Sequence, residues 1–122
     1  MDELRKKVFH EGGTEAPFSG TYWNYDKDGN YCCASCGQVL FSSERKLDSS
    51  KGPQGLQGWP AFSDAQPGAL RYEKDTKLGM ERTEILCAHC GIHLGHVFFD
   101  VEGEGTQHFC VNSCALEFED SK

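Results

Sequence analysis

The sequence predicts a mainly β domain with one short helix at its N-terminus. Two observations carry this prediction: short segments rich in aromatic and β-branched residues recur along the chain, and turn-forming residues separate them. No linker divides the 122 residues, and no repeat appears beyond two pairs of cysteines, so we expect a single domain over 1–122. A chain of this length buries a modest core, which favours an added staple between distant segments.

The helix is predicted over 2–10, "DELRKKVFH", which consists largely of helix formers. Asp2 and Glu3 suit the positive end of the helix dipole, and the following Glu-Gly-Gly ends the helix. Residues 13–37 then hold mostly turn formers and aromatics, and within them 27–30, "KDGN", is predicted to be a hairpin turn.

Five strand candidates follow, each rich in aromatic or β-branched residues. They are 38–43, 68–74, 81–88, 95–101 and 108–118. The stretch 48–58 is rich in Gly, Ser and Gln without periodicity and is predicted to be an exposed loop, and 101–105, "VEGEG", a turn.

Composition and charge exclude several classes of function. A net charge of -7 argues against a nucleic-acid-binding face and against an anionic membrane surface. No segment approaches the roughly 18 apolar residues of a membrane-spanning helix, and the N-terminus lacks the apolar core of a signal peptide. The seven cysteines cannot all pair within one chain, so we expect a reducing cytoplasm in which cysteines are metal ligands or catalysts.

Two matched Cys-x-x-Cys-Gly motifs predict one structural zinc ion per chain. "CASCG" and "CAHCG" supply four thiolates, enough to close a tetrahedral Zn²⁺ shell: Cys33, Cys36, Cys87 and Cys90. The Gly after each second cysteine permits a turn with positive φ. Four cysteine ligands leave no open position, so the metal would join the two halves of the chain rather than act on a substrate. Two disulfides or two redox-active motifs are the alternative interpretation.

Three thiols remain: Cys32, Cys110 and Cys114. A cysteine in an apolar strand, as Cys110 is predicted to be, is either a small buried hydrophobe or a reactive thiol. Along an extended strand Cys110 and Cys114 would be about 13 Å apart, beyond the roughly 7 Å between Cα atoms that a disulfide allows. The two therefore cannot bridge while that segment is a strand.

Several polar groups suit an active-site thiol. The segment "GIHLGHVFFD" supplies three of them: His93, His96 and Asp100. A nearby imidazolium favours a thiolate, and an imidazole can donate a proton to a leaving oxygen. Asn112 would share a strand face with Cys110 and could bond a substrate oxygen. The alternatives are a metal-binding pair or ordinary loop histidines. Trp59, in "GWPAF", either walls a small apolar pocket or fills the core.

Five blocks of the sequence together resemble the type B methionine sulfoxide reductases, which reduce methionine-R-sulfoxide. In chain order they are "GTEAPFSGTYW", "YCCASCGQVLF", "GWPAF", "RTEILCAHCGIHLGHVF" and "FCVNSCAL", and they extend over nearly the whole chain. The resemblance implies two antiparallel β-sheets with a structural zinc far from the active site. It also implies an enzyme of protein repair in oxidative stress, recycled by thioredoxin or a similar dithiol and expected to be a monomer.

The resemblance assigns roles position by position. Cys110 is the expected catalytic cysteine, Trp59 the expected holder of the substrate's S-methyl group, and Phe109 a further substrate contact. The expected polar groups around the sulfoxide are His93, His96 and Asn112, with Asp100 supporting the histidines. Attack by the Cys110 thiolate would expel methionine and leave a sulfenic acid, which a second thiol condenses with.

The sequence departs from the family pattern in two places. His108 stands where the family usually has an Arg, so we expect weaker or more pH-dependent activation of the catalytic thiol. Gln57 and Ser19 stand where relatives place a resolving cysteine. We therefore predict either direct attack of thioredoxin on the sulfenic acid or an unusual resolving thiol, Cys32 before Cys114.

Other classes of function stay open on the residues alone. A zinc-stabilised β module could bind a peptide or small ligand without turnover, and Cys110→Ser would then leave its function intact. A redox-sensing zinc protein would release its metal on mild oxidation, whereas the reductase would keep it. A dithiol–disulfide oxidoreductase is disfavoured, because both Cys-x-x-Cys pairs are assigned to zinc.

Overall fold

The fold is mainly β. The computed structural model describes residues 3, 5, 7–8, 14–16, 18, 20–25, 27–47, 57–76, 81–101 and 103–120. In these ranges the strands are Gly29–Cys33 (β1), Val39–Ser42 (β2), Ala61–Phe62 (β3), Leu70–Asp75 (β4), Arg82–Cys87 (β5), His93–Phe99 (β6), Gln107–Val111 (β7) and Leu116–Asp120 (β8). Most of the predicted helix, 2–10, and of the predicted loop, 48–58, lies outside the described residues. No helix in the described ranges is long and apolar enough to cross a membrane.

The strands form two antiparallel sheets, as predicted. One sheet has the order β2-β1-β8 and the other the order β3-β7-β6-β5-β4. The predicted single strand 108–118 is wrong, because a 3-10 turn, Ser113–Ala115, divides it into β7 and β8 of different sheets. Asn112 ends β7: its amide donates to the Leu94 carbonyl at 2.9 Å, and its own carbonyl accepts from the amide of Ala115 at 3.0 Å.

β1 and β3 are absent from the predicted strands, and the predicted hairpin turn at 27–30 is wrong. Gly29 begins β1, the central strand of its sheet, rather than closing a hairpin. A Cβ at Gly29 would lie 2.2 Å from the carbonyl oxygen of Glu119, so glycine is needed there for the close approach of β8. The hairpin that β1 does form, with β2, closes through the first Cys-x-x-Cys-Gly motif.

Aromatic side chains fill the space between the sheets. The ring of Phe62 lies 5.0 Å from that of Tyr31 and 4.3 Å from that of Phe41, both in the three-stranded sheet. Phe109 in β7 joins this cluster, 5.9 Å from Phe41. Since successive strand residues point to opposite faces, a core position for Phe109 directs its neighbour Cys110 to the outer face of the five-stranded sheet.

Candidate active site and cysteine cluster

The two cysteine motifs form matching turns. In each turn the amide of the motif glycine donates to the carbonyl of the first cysteine at 2.8 Å. Gly37 and Gly91 have φ values of 82° and 80°, the left-handed conformation that explains a glycine at both positions. The amide of the first cysteine in each motif also donates to the carbonyl of the residue two positions after the second cysteine. These carbonyls belong to Gln38 and Ile92. The sequence pattern thus repeats as a structural one.

The four motif cysteines meet in one cluster. The Sγ atoms of Cys33 and Cys90 are 3.6 Å apart, and so are those of Cys36 and Cys87. All four sulfurs lie within 4.8 Å of one another, which is consistent with a metal site. The distances exclude disulfides in this arrangement, because an S–S bond measures about 2.05 Å.

A row of three side chains crosses the outer face of the five-stranded sheet. Cys110 in β7 lies opposite His96 in β6, and His96 lies opposite Glu84 in β5. Directly opposed residues share a face, so these side chains are neighbours. Gly95 permits the close approach of β6 and β7, since a Cβ there would lie 2.0 Å from the Cys110 carbonyl oxygen.

A β-bulge brings His93 to the side of His96. In a regular strand, residues three apart point to opposite faces. Here Ile85 pairs with Gly95 whereas the next residue, Leu86, pairs with His93, so β6 carries one extra residue. The two imidazole rings lie 5.5 Å apart between centroids as a result.

Each histidine contacts a carboxylate. His93 Nδ1 lies 2.5 Å from Glu84 Oε2, and His96 Nε2 lies 2.8 Å from Asp75 Oδ2. Asp75 Oδ2 also accepts a hydrogen bond from Arg82 Nη2 at 3.1 Å. Sequence reasoning missed these three charged partners. The spacing of Arg82 and Glu84, two residues apart in "ERTEILC", is a signal that could have identified two of them, because it puts both on one strand face.

Asp100 lies away from both histidines. It is exposed in the β6–β7 turn with a φ of 63°, and its Oδ1 accepts from the amide of Gly105 at 2.7 Å. A short polar side chain at a left-handed turn position bonds local backbone in this way. The expected support of the histidines by Asp100 is therefore corrected: the carboxylates that contact them are Asp75 and Glu84.

A cavity of about 90 Å³ opens beside Cys110. Four residues predicted from the sequence line it: Trp59, His96, Cys110 and Asn112. Three more side chains that the sequence analysis did not single out contribute: Thr14, Arg82 and Phe98. His93 stands beside His96 but is not part of the wall. Phe109 is buried in the core on the other face of β7, so the expectation that it contacts substrate is wrong.

Glu15 joins the segment before β1 to the cavity, and it is 2% exposed. Its amide donates to Asn112 Oδ1 at 2.9 Å, and its carbonyl accepts from Trp59 Nε1 at 2.8 Å. Its carboxylate accepts from the amides of Ser113 and Cys114 at 2.9 Å and 3.1 Å. One residue thus fixes two side chains of the cavity wall and the turn that follows β7. Its place in "GTEAPFSGTYW" gave no sign of this role.

The Cys110 thiol is protonated at neutral pH. Burial, and then the negative charge of Glu15, raise the pKa of Cys110 to about 12.

Asn112 is held from both ends, because its Nδ2 donates to the Leu94 carbonyl at 3.0 Å while its Oδ1 accepts from the amide of Glu15. One Nδ2 hydrogen is left over for the cavity.

The remaining predicted residues lie outside the cavity wall. Cys32 is buried in β1 opposite Glu117, and burial raises its pKa, with Glu119 and Glu117 adding to the effect. Cys114 lies in the 3-10 turn after β7. His108 is buried in β7 opposite Phe98, on the strand face that Cys110 shares.

Comparison of the sequence with known proteins identifies the family of the chain. The SelR domain matches residues 1–120. "Peptide methionine sulfoxide reductase MsrB" of Synechococcus sp. (strain RCC307) is 47% identical over 115 residues, which is 93% of this chain and 80% of that protein. The MsrB of Thiobacillus denitrificans is 44% identical, over 92% of this chain and 81% of that protein. Human "Methionine-R-sulfoxide reductase B2, mitochondrial" is 46% identical, over 94% and 64% respectively. The chain belongs to the SelR-domain family of MsrB methionine sulfoxide reductases, which confirms the predicted family.

Proposed function

We propose that the chain reduces methionine-R-sulfoxide in oxidised proteins and peptides to methionine, with Cys110 as the nucleophile. The observation that carries this proposal is that the partly buried Cys110 thiol lines the same small cavity as His96 and Trp59. The names of the curated relatives support the same activity. Methionine sulfoxide is a common oxidative lesion, so the proposed role is protein repair in oxidative stress.

The cavity offers complementary surfaces to a methyl sulfoxide. The Trp59 indole N–H is already bonded to the Glu15 carbonyl, so the ring itself is the surface that meets the S-methyl group. Phe98, which is paired with His108 in the sheet, adds apolar surface to the cavity wall. The unused Nδ2 hydrogen of Asn112 and the His96 ring are the donors for the sulfoxide oxygen. Methyl and oxygen are thereby distinguished, which is the requirement for selecting one epimer.

The proposed reaction transfers the sulfoxide oxygen to the enzyme. His96 gives a proton to the oxygen and takes the proton of the Cys110 thiol, whose raised pKa of about 12 prevents its loss beforehand. The S–O bond of the sulfoxide breaks as Cys110 sulfur gains the OH group. The net change is thiol plus sulfoxide to sulfenic acid plus methionine: Cys110 sulfur is oxidised by two electrons and methionine sulfur is reduced by two.

A stereospecific assay tests this proposal. The R and S epimers of an N-acetylated methionine sulfoxide amide are supplied separately with dithiothreitol to the parent and to two variants. We expect the parent to reduce the R epimer alone, Cys110→Ser to reduce neither, and the control Cys114→Ser to match the parent. Reduction of the S epimer, or R-epimer reduction that survives in Cys110→Ser, would contradict the proposal.

For recycling, we propose direct attack of an external dithiol, such as thioredoxin, on the Cys110 sulfenic acid. Its first thiol releases water and forms a mixed disulfide, which its second thiol resolves to regenerate Cys110. Neither spare thiol lines the cavity wall, which supports the direct route over resolution by Cys32 or Cys114. Mass spectrometry after one turnover without reductant is expected to find sulfenic acid. A disulfide between Cys110 and either spare thiol would contradict direct attack.

We also propose that the four clustered cysteines bind one structural Zn²⁺. Sulfur separations of 3.6 Å are close to the edge of a tetrahedron, which is roughly 3.8 Å for Zn–S bonds of about 2.3 Å. Four thiolates close the shell, so the ion would hold the two motifs together without taking part in the reaction. Metal analysis of purified protein should find one zinc per chain. Absence of any metal from folded, active protein would contradict the site.

A further inference from the structure

A charged unit borders the cavity: Arg82 and His96 line it, and Asp75 lies behind them. We propose that Asp75 and Arg82 are positioning residues with opposed effects on His96: Asp75 orients the ring by accepting its Nε2 hydrogen, and Arg82 competes for the same carboxylate oxygen. Through His96 the two residues set the pH range in which the sulfoxide oxygen receives its proton. The inference deepens the proposed function and rests on it.

The contacts define the unit without ambiguity. Asp75 ends β4 and Arg82 begins β5, and the two are directly paired in the sheet. Asp75 is 7% exposed, and its Oδ2 is shared by Arg82 Nη2 at 3.1 Å and His96 Nε2 at 2.8 Å. Arg82 Nε is buried without a hydrogen-bond partner among the described residues. An unsatisfied buried donor of this kind is costly.

Orientation of His96 follows from this contact. Because Nε2 faces Asp75, only Nδ1 is left to reach the cavity that the ring lines. An imidazole donates from one nitrogen when neutral and from both when protonated. For Nδ1 to donate to a sulfoxide while Nε2 donates to Asp75, the ring must be the imidazolium. A carboxylate in hydrogen-bond contact stabilises that form, and a guanidinium bonded to the same oxygen weakens the effect.

The other titratable groups around His96 are accounted for. They lie on its own strand and on each neighbouring element: His93 on β6, Glu84 on β5, Cys110 and His108 on β7, and Glu15 beside Cys110. Glu84 is bonded to His93, and Cys110 is neutral at neutral pH. Asp75 is therefore the carboxylate in hydrogen-bond contact with His96, and Arg82 is the cation bonded to that carboxylate.

The test compares pH profiles of kcat/KM for the R epimer between pH 5 and 10. In Asp75→Asn the imidazolium loses its partner, so we expect the alkaline fall in rate to move about one unit lower, a roughly tenfold loss at pH 8. In Arg82→Gln the carboxylate loses its bond to the guanidinium, so the fall should move higher. Asp75→Glu should restore the parent profile. The control Glu73→Gln removes an exposed carboxylate from the same strand and should shift nothing.

A second readout does not depend on turnover. In protein with ¹³C-labelled histidine, NMR follows the His96 ring against pH in the Cys110→Ser background, with and without the two substitutions. Half-titration should occur at lower pH with Asp75→Asn and at higher pH with Arg82→Gln. No movement, or movement in the same direction, would overturn the inference. A parent that reduces neither epimer would overturn the proposed function instead, while the NMR titration still decides the Asp75–Arg82 pair.

Discussion

The motif cysteines and Cys110 are the same side chain in two contrasting settings. The motif sulfurs sit at the ends of two matching turns, 3.6 Å apart in two pairs and within 4.8 Å overall. Cys110 is a single, partly buried thiol in β7, under the influence of the Glu15 charge and facing a cavity. Local spacing forms each turn of the first setting, and the fold then brings the two turns together. The second setting depends wholly on contacts among segments far apart in the chain. Surroundings, rather than the thiol itself, decide between metal ligand and nucleophile.

Substituting one cysteine in each setting should separate stability from chemistry. Cys110→Ser removes the nucleophile, so we expect activity to fall by about 10⁴-fold or more with the fold and the zinc content unchanged. Cys87→Ser leaves a metal site with three thiolates, and we expect a loss of several kcal/mol in unfolding free energy, since structural zinc contributes on the order of 10 kcal/mol in small zinc domains. Calorimetry, metal analysis and the epimer assay on both variants give the comparison.

A stable, zinc-free Cys87→Ser protein with full activity would contradict the proposed stabilising role of the cysteine cluster. A zinc-deficient Cys110→Ser protein would show that the two settings are not independent.

Glu15→Gln should change both stability and thiol reactivity. Gln offers one acceptor oxygen where the carboxylate accepts the amides of Ser113 and Cys114, so we expect a loss of about 1–3 kcal/mol. The Glu15 charge helps raise the pKa of Cys110 to about 12, and its removal should lower that pKa. Iodoacetamide labelling of Cys110 rises with pH as thiolate forms, and at a given pH below 12 the variant should label faster than the parent.

The labelling control is Cys110→Ser, which identifies any signal from the spare thiols Cys32 and Cys114. Slower labelling of Glu15→Gln than of the parent would contradict the proposed influence of the Glu15 charge.

His108→Arg should have the smallest effect of these changes. A permanent positive charge would enter the face of β7 that Cys110 shares, two residues away, and would favour the thiolate. We expect faster labelling of Cys110 and a modest rise in activity, without change in the metal content. Titration of the labelling rate against pH on parent and variant checks this. An unchanged titration together with an unchanged rate would show that His108 does not limit thiol activation.

The sequence was most informative where structure follows local spacing. Two Cys-x-x-Cys-Gly motifs predicted both the clustered cysteines and the positive φ of Gly37 and Gly91, and segments rich in aromatic and β-branched residues predicted most of the strands. β1 was not predicted as a strand, because its five residues include a glycine and an asparagine that usually mark turns. Tertiary need overrode propensity there, since the close approach of β8 requires Gly29.

Sequence analysis predicted several residues that line the cavity and missed the residues that hold them in position. Trp59, His96, Cys110 and Asn112 carry recognisable chemistry, and all line the cavity. Glu15 and Asp75 act through hydrogen-bond contacts to residues far away in sequence, and no spacing rule reveals such contacts. Asp100 was grouped with the histidines because one short segment supplies all three, but its side chain bonds the backbone of the β6–β7 turn instead.

The most direct test of the account is to trap the oxidised enzyme after one turnover. Parent protein is mixed with one equivalent of methionine-R-sulfoxide peptide and dimedone, without reductant, and the adduct is located by peptide mapping. The account predicts one dimedone per methionine formed, on Cys110 alone, with the four motif cysteines unmodified. Methionine formation with the adduct on Cys32, Cys114 or a motif cysteine, or with no adduct and no disulfide, would contradict it.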